Sequence, residues 1–262
     1  MKIRLLVLIS VSVLLLTGCG SEMKHATTLT KPVAGEAAKG GGSYLDELIP
    51  SDILSIPLFD QNEKTLTLDS LKGQYVVISN FLTSCQEICP MTTATMRSIG
   101  GVVSSSALKD KVKVVEISVD GERDNASRLA AYYDLYNDNT FSLASGTPSN
   151  LEKLWKYFGA PATKMEFTAK DKATLPVDWQ TGKVGAYDMS HPDLVIIIGP
   201  DLHWKWLDLG NPNPGKATIP EKLKAFLSED GLGNLAKPQE PSWSADAVYS
   251  ALHDLTGVAI SQ

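Results

Sequence analysis

Thr83-Ser84-Cys85-Gln86-Glu87-Ile88-Cys89-Pro90 decides how the rest of this chain is read. It follows an apolar run, Tyr75-Val76-Val77-Ile78-Ser79-Asn80-Phe81-Leu82, that predicts a buried strand. Pro90 suits the first turn of a helix, where its missing N–H costs nothing. The two cysteines therefore sit at a strand-to-helix junction. If the helix begins near Cys85, the spacing of four puts both thiols on one face, about 6 Å apart along the axis. That separation allows two sulfurs to share one metal ion, or to close a disulfide if the turn adjusts. The plain alternative is a structural disulfide or two buried apolar cysteines. A loop with three residues between its cysteines restricts the unfolded chain little and so stabilises little. A reactive role explains the pair better.

Outward from this stretch the chain alternates strand and helix signals. Upstream, residues 53–59 and 66–68 predict a hairpin turning at Asp60-Gln61-Asn62. Downstream come a helix of about 15 residues from Cys89 and a core strand over 111–119. The next helix is capped by Asp124 and carries Leu129, Tyr132, Tyr133 and Tyr136 on one face. A short strand at 141–144 precedes a helix opened by Thr147-Pro148, striped by Leu151, Leu154, Trp155 and Phe158, and stopped by Gly159. Residues 160–190 are irregular, with a short strand near Met165. Residues 194–198 are a continuous apolar strand, turned by Gly199-Pro200-Asp201 into a partner over 203–207. Pro220 starts a helix stopped by Gly231, and a last helix spans 244–255. The order predicts an α/β fold, a central mixed sheet flanked by helices with an N-terminal hairpin and an extra C-terminal helix. A cysteine pair after the first core strand is the thioredoxin arrangement.

The N-terminus reads as an export signal. Lys2 and Arg4 precede an apolar run of twelve residues, 5–16, too short to span a bilayer. It ends Leu16-Thr17-Gly18-Cys19, which resembles the bacterial lipobox, in which the cysteine is lipidated and becomes the first residue. The expected organisation is a signal peptide over 1–18, lipidated Cys19 and a flexible tether over 19–43, a thioredoxin-like domain over 44–232, and an extension with a helix over 233–262. The expected location is extracytoplasmic, on a bacterial membrane through the lipid. Cleavage removes Lys2 and Arg4, taking the net charge from −6 to −8 (−6 − 2), which argues against nucleic acid as a partner. Of three cysteines, only Cys85 and Cys89 then remain as thiols. In an oxidising compartment, a function needing them reduced needs a thiol reductant as partner.

The chain resembles the Sco/SenC family of copper-binding thioredoxin-like proteins over roughly residues 50–230. Four pieces carry the resemblance: residues 81–90 with the cysteine pair; Ile117-Ser118-Val119-Asp120-Gly121-Glu122-Arg123-Asp124; Ser145-Gly146-Thr147-Pro148; and His191 followed by Gly199-Pro200-Asp201. The resemblance implies a copper site made by Cys85, Cys89 and His191. It also implies delivery of copper to the copper-centre subunit of cytochrome c oxidase or another cuproprotein, or reduction of that centre's cysteines. Many family members have an acidic residue directly before the histidine; here Ser190 stands there, so Asp188 and Asp193 become the candidates for orienting His191.

Thiolate suits soft Cu(I), and imidazole with thiolate suits Cu(II), so a two-cysteine, one-histidine set serves both states. A helix N-terminus favours thiolate. Met91 and Met189 lie near the ligands in sequence and read as gap fillers, with a weak ligand role as the alternative. His25, His203 and His253 read as ordinary, and Glu87 as exposed. The competing function is a metal-free thiol–disulfide oxidoreductase using Cys85 and Cys89; a peroxidatic reading has no specific support near either cysteine.

Overall fold

The computed structural model describes residues 34–260. The expected signal segment, Cys19, His25 and residues 20–33 of the expected tether lie outside the described residues. Residues 34–42, expected to continue that tether, are instead held against the sheet. The Gly35 N–H donates to Tyr44 O at 2.7 Å, and the Trp206 indole N–H donates to Gly41 O at 3.1 Å. Gly42 lies at φ +73°, and a Cβ there would meet Leu207 O at 2.4 Å. A glycine-rich stretch reads as flexible in isolation, but the same lack of side chains lets its backbone lie flush on a neighbour.

The first strand is β1 (Ser43–Leu48). Residues expected as one strand at 53–59 are split: Pro50 leads into a short helix, α1 (Ser51–Leu54), before β2 (Leu58–Asp60) and β3 (Thr65–Leu66) form the hairpin. Pro50 sits at φ −58°, a preset that suits the entry to a helical turn. Asp60 makes the hairpin turn by accepting the N–H groups of Asn62 and Lys64 at 2.8 and 2.9 Å.

The central elements follow as expected in kind and order. They are β4 (Tyr75–Phe81), α2 (Cys89–Ser104), β5 (Val112–Ser118), α3 (Ala126–Tyr136), β6 (Ser142–Ser145) and α4 (Pro148–Tyr157). Next come β7 (Thr163–Glu166), α5 (Ala169–Thr174) and β8 (Tyr187–Ser190), with β7 and β8 pairing in a small antiparallel sheet of their own. Then come β9 (Leu194–Ile198), β10 (His203–Leu209), β11 (Asn211–Asn213), α6 (Glu221–Lys224), α7 (Glu229–Ala236), β12 (Ser242–Ser244) and α8 (Ala245–Thr256). The main sheet runs β1-β10-β9-β4-β5-β6-β2-β3. Strands β4, β5 and β6 are parallel, β9 is antiparallel to β4, and β10 antiparallel to β9. This is a thioredoxin-like sheet. Val77 and Ile78 are neighbours on β4 that point to opposite faces, and both are fully buried, so both faces are covered.

The extra C-terminal helix α8 belongs to the same core. Val248, Ala251 and Leu252 are fully buried, Tyr44 Oη donates to Asp254 at 2.6 Å, and Tyr75 Oη donates to Leu255 O at 3.0 Å. Its apolar face is therefore spent on packing and is not free for a partner.

One core group is out of keeping with its strand. Glu116, in the middle of β5, is fully buried; Thr93 Oγ1 donates to its Oε1 at 3.2 Å, and Oε2 has no partner. Burial pushes its carboxyl well above the ordinary 4.5, so the fold holds it protonated. The unfolded chain releases that proton near 4.5, so folding stability from this group is full below that pH and declines as pH rises. Glu116→Gln removes the decline. Its stability relative to the parent is expected to grow by up to about 1.4 kcal/mol per pH unit from pH 5 upwards, until the pH reaches the folded-state value. Urea unfolding at pH 5, 6, 7 and 8 checks this; a pH-independent difference would mean the carboxyl is ionised in the fold.

Candidate metal centre

The loop between β4 and α2, residues 82–88, carries the first cysteine, and α2 begins at the second. The helix does not start near Cys85, and Pro90 supplies the reason. It has no N–H to donate to Gln86 O, the bond a helix starting at Cys85 would need. Gln86 O is taken instead from outside, by the N–H of Ser228 at 2.9 Å and its hydroxyl at 3.2 Å. Ser228 caps α7, and Gly231, expected to end a helix, lies inside that helix against the cysteine loop. A Cβ on Gly231 would meet Gln86 O at 2.3 Å, so only glycine permits α7 to lie this close.

Both cysteines are free thiols and both are buried, Cys85 8% exposed and Cys89 fully enclosed. The Cys85 sulfur sits over the N-terminus of α2 and accepts the N–H groups of Ile88 and Cys89, each at 3.4 Å. Negative charge on that sulfur is met by two donors and the positive end of the helix. Cys89 Sγ accepts the Leu82 N–H at 3.4 Å. Burial, reinforced by the neighbouring Cys85 and by Asp193, pushes the Cys89 thiol well up. One sulfur thus sits at the helix N-terminus with slight exposure, and the other is fully enclosed behind it and held toward its protonated form.

His191 lies in the loop between β8 and β9, its side chain 5% exposed. Burial lowers its pKa, partly opposed by the Pro192 carbonyl, so the ring is neutral at neutral pH, the form that ligates a metal. Its Nδ1 lies 3.1 Å from both Asn80 Nδ2 and Pro192 O. In the tautomer that donates Nδ1–H to Pro192 O, the lone pair is on Nε2. The two acidic residues expected to orient the ring do not do so by hydrogen bonding. Asp193 Oδ1 is 3.6 Å from Nδ1, beyond hydrogen-bond reach, and has no other partner; burial, then the charge of Glu87, raises its pKa to about 7. Asp188 accepts its neighbour Met189's N–H at 2.8 Å.

The residue that does hold this loop is Asn80, which sequence reading passed over. Its Nδ2 donates to Pro192 O at 2.7 Å, and its Oδ1 accepts the Leu194 N–H at 3.2 Å. Asn80 ties β4, the strand that leads into the cysteine loop, to the histidine loop. The signal was available: a polar amide inside an apolar strand needs partners from elsewhere in the fold.

A second group was also missed. Asp124, expected to cap α3, is fully buried, and Asn125 is the cap, accepting the Arg128 N–H at 3.0 Å. Asp124 holds the cysteine loop instead: it accepts the Thr83 N–H at 3.1 Å, the Thr83 hydroxyl at 2.5 Å and the Ser118 hydroxyl at 2.6 Å. Burial and the charge of Asp120 raise its pKa to about 6 against these bonds. Arg128 completes the frame, donating to Thr83 Oγ1, to Ser84 Oγ and to both oxygens of Asp178. The Trp179 indole N–H caps Thr83 O at 2.7 Å.

Cys85 and Cys89 are brought together, and His191 is placed on a loop joined through Asn80 to β4, the strand that leads into the cysteine loop. Among the described residues, the three donor atoms do not all lie within 4.8 Å of one another. The group that does is Asp46, Asp201 and His203 at the surface. There Lys205 Nζ already lies 2.6 and 2.7 Å from the two carboxylates, so the cation is supplied by the protein. Met91 is fully buried in α2 and Met189 packs against the core, as gap fillers do. Glu87 is exposed.

Residues 55–228 match the sequence model described as SCO1/SenC. A protein of Stutzerimonas stutzeri named for copper binding is 28% identical over 159 residues, spanning 59% of this chain and 68% of that protein. The SCO1 protein homolog of Bacillus subtilis is 29% identical over 130 residues, 48% of this chain and 66% of its own length. Among solved structures, Bradyrhizobium japonicum ScoI with copper bound is 27% identical with a TM-score of 0.46, covering 64% of this chain and 92% of that one.

Proposed function

The chain belongs to the SCO1/SenC family, and from that premise we propose that it is a membrane-anchored copper chaperone. It binds one copper through Cys85, Cys89 and His191 and assists assembly of the copper centre of cytochrome c oxidase. The observation that carries this reading is the paired arrangement of the cysteines, one sulfur on the N-terminus of α2 and the other enclosed behind it, with a neutral buried histidine on the loop that Asn80 ties to β4, the strand leading into the cysteine loop. Two sulfurs and an imidazole form a soft donor set that suits copper in either oxidation state. Copper is cargo here, so a third donor that closes on binding and opens on release fits the task. The anchor is lipidated Cys19, supported by the sequence around it, and it places the domain outside the cytoplasmic membrane. Among the described residues no helix is long and apolar enough to cross a membrane.

The test is a Cu(I) titration of the reduced full-length chain in detergent, beside His191→Ala. One equivalent is expected in the parent, with affinity at least about 10-fold weaker in the variant, since losing a ligand costs no less than losing a group that merely orients one. Absence of stoichiometric binding in the parent rejects the reading; unchanged affinity in the variant moves the third ligand elsewhere.

The asymmetry of the two thiols also favours a second reading, reduction of a partner's disulfide, with Cys85 attacking and Cys89 resolving. That activity survives His191→Ala, whereas copper binding is weakened.

A further inference from the structure

The amide of Asn80 is fixed in one orientation by its partners. Oδ1 accepts the Leu194 N–H at 3.2 Å, and Nδ2 donates to Pro192 O at 2.7 Å. Turned over, it would set N–H against N–H and oxygen against oxygen. One Nδ2 hydrogen is spent on Pro192 O. The acceptor in reach of the other is His191 Nδ1, at 3.1 Å. Asn80 is 1% exposed, so leaving that second hydrogen without an acceptor is costly. A neutral imidazole carries one proton and offers one lone pair. When Nδ1 accepts from Asn80, the ring proton is therefore on Nε2, which has no hydrogen-bond partner among the described residues. The rival tautomer donates Nδ1–H to Pro192 O at 3.1 Å, a carbonyl that Asn80 already holds at the shorter distance, and it faces one N–H with another. Asp193 does not favour it by hydrogen bonding, because its Oδ1 is 3.6 Å from Nδ1.

Ligation of copper ends the bond from Asn80 to Nδ1 whichever ring nitrogen is used. An imidazole bound through Nε2 carries its proton on Nδ1, which then cannot accept. An imidazole bound through Nδ1 gives the metal the lone pair that Asn80 uses. We propose that Asn80 is a positioning residue that competes with copper for His191, holding the metal-free ring in its Nε2–H tautomer and so making the histidine the most easily released of the three donors. For ligation through Nε2, that nitrogen gives its proton to water and Nδ1 takes one from water, so the ring stays neutral. The cysteines keep the ion while the third donor opens, which suits a carrier that must hand its cargo on. The inference rests on the copper reading proposed above.

The full chain in detergent, labelled with ¹⁵N-histidine, is studied reduced, free of metal and at neutral pH; His191→Ala identifies the His191 signals. The ¹H–¹⁵N pattern of the ring is expected to show the Nε2–H tautomer in the parent. Asn80→Leu removes the donor and frees Pro192 O, and is expected to show the Nδ1–H tautomer. Cu(I) affinity, read by chelator competition, is expected to be about tenfold tighter in Asn80→Leu, because no buried donor is then left unpaired on ligation. The gain is expected to vanish in the His191→Ala background, as a coupling through that ring requires. The parent spectrum needs no variant, and Asn80→Ala repeats the affinity comparison if leucine disturbs the fold. An Nδ1–H tautomer in a parent that binds one copper overturns this proposal alone. So does an affinity in the Asn80 variants equal to or weaker than the parent's. A parent with the Nε2–H tautomer that binds no stoichiometric Cu(I) defeats the copper reading, and the competition with it.

Discussion

Cys85→Ser is expected to abolish stoichiometric Cu(I) binding, with a loss larger than the roughly 100-fold at the upper end for outer groups. The substitution exchanges a soft, polarisable sulfur for a hard hydroxyl that Cu(I) disfavours. It leaves the surroundings intact, since the serine oxygen can still accept from Ile88 and Cys89, whose N–H groups now point at sulfur. Cys89→Ser is expected to lose copper equally but to cost stability as well. Cys89 is fully enclosed, and a buried hydroxyl with one donor, the Leu82 N–H, pointing at it has its own proton to place. That costs about 1–3 kcal/mol. Cys89→Ala is therefore the cleaner probe. Competition for Cu(I) against a chromophoric chelator reads affinity, and urea unfolding reads stability. One-equivalent binding that persists in Cys85→Ser and Cys89→Ala would place the copper site elsewhere.

Arg128→Ala is expected to be the most destabilising single change near the site, by about 3–5 kcal/mol, the cost of breaking a buried pair by removing one partner. The guanidinium is 9% exposed and serves five groups at once: Asp178, Asp124 at 3.8 Å, Thr83, Ser84 and Gln180 Oε1 at 3.1 Å. Without it two carboxylates remain in the interior. Burial at Asp178 is outweighed by Arg128 and by hydrogen bonds from Thr181, which together hold it below the ordinary 3.8. A carboxyl whose pKa is lowered by folding contributes stability above its unfolded value and loses it as pH falls. The deficit of Arg128→Ala is therefore expected to shrink below about pH 4, where Asp178 is protonated in the variant. Urea midpoints at pH 3.5 and pH 7 test both statements. A deficit under 1 kcal/mol at pH 7 would mean that water screens the network. Because Thr83 and Ser84 lose their anchor, copper affinity is expected to drop as well, linking the frame to the site.

Much of this architecture was legible in the residues. The strand before the cysteines, the helix from Cys89, the parallel strand after it and the apolar 194–198 strand are each written as local periodicity, and burial on both faces demands such runs. The hairpin boundaries and the 34–42 segment were misjudged because glycine and proline signals are ambiguous until a neighbour is present. Asp124 illustrates the same limit. As a helix cap it needs only its own sequence; as a buried acceptor for Thr83 it needs a loop 41 positions away.

By itself, the sequence determined that two thiols stand at a strand-to-helix junction in an α/β chain, with a histidine ahead of a buried strand. Those features depend on backbone geometry over a few residues. Tertiary structure alone decided what holds them. Asn80 meets His191 across 111 positions, Ser228 takes Gln86 O across 142, and Gly231 lets α7 lie against the cysteine loop. Such partners are selected by which surfaces pack together, a property of the whole sheet and its covering helices that no local pattern encodes.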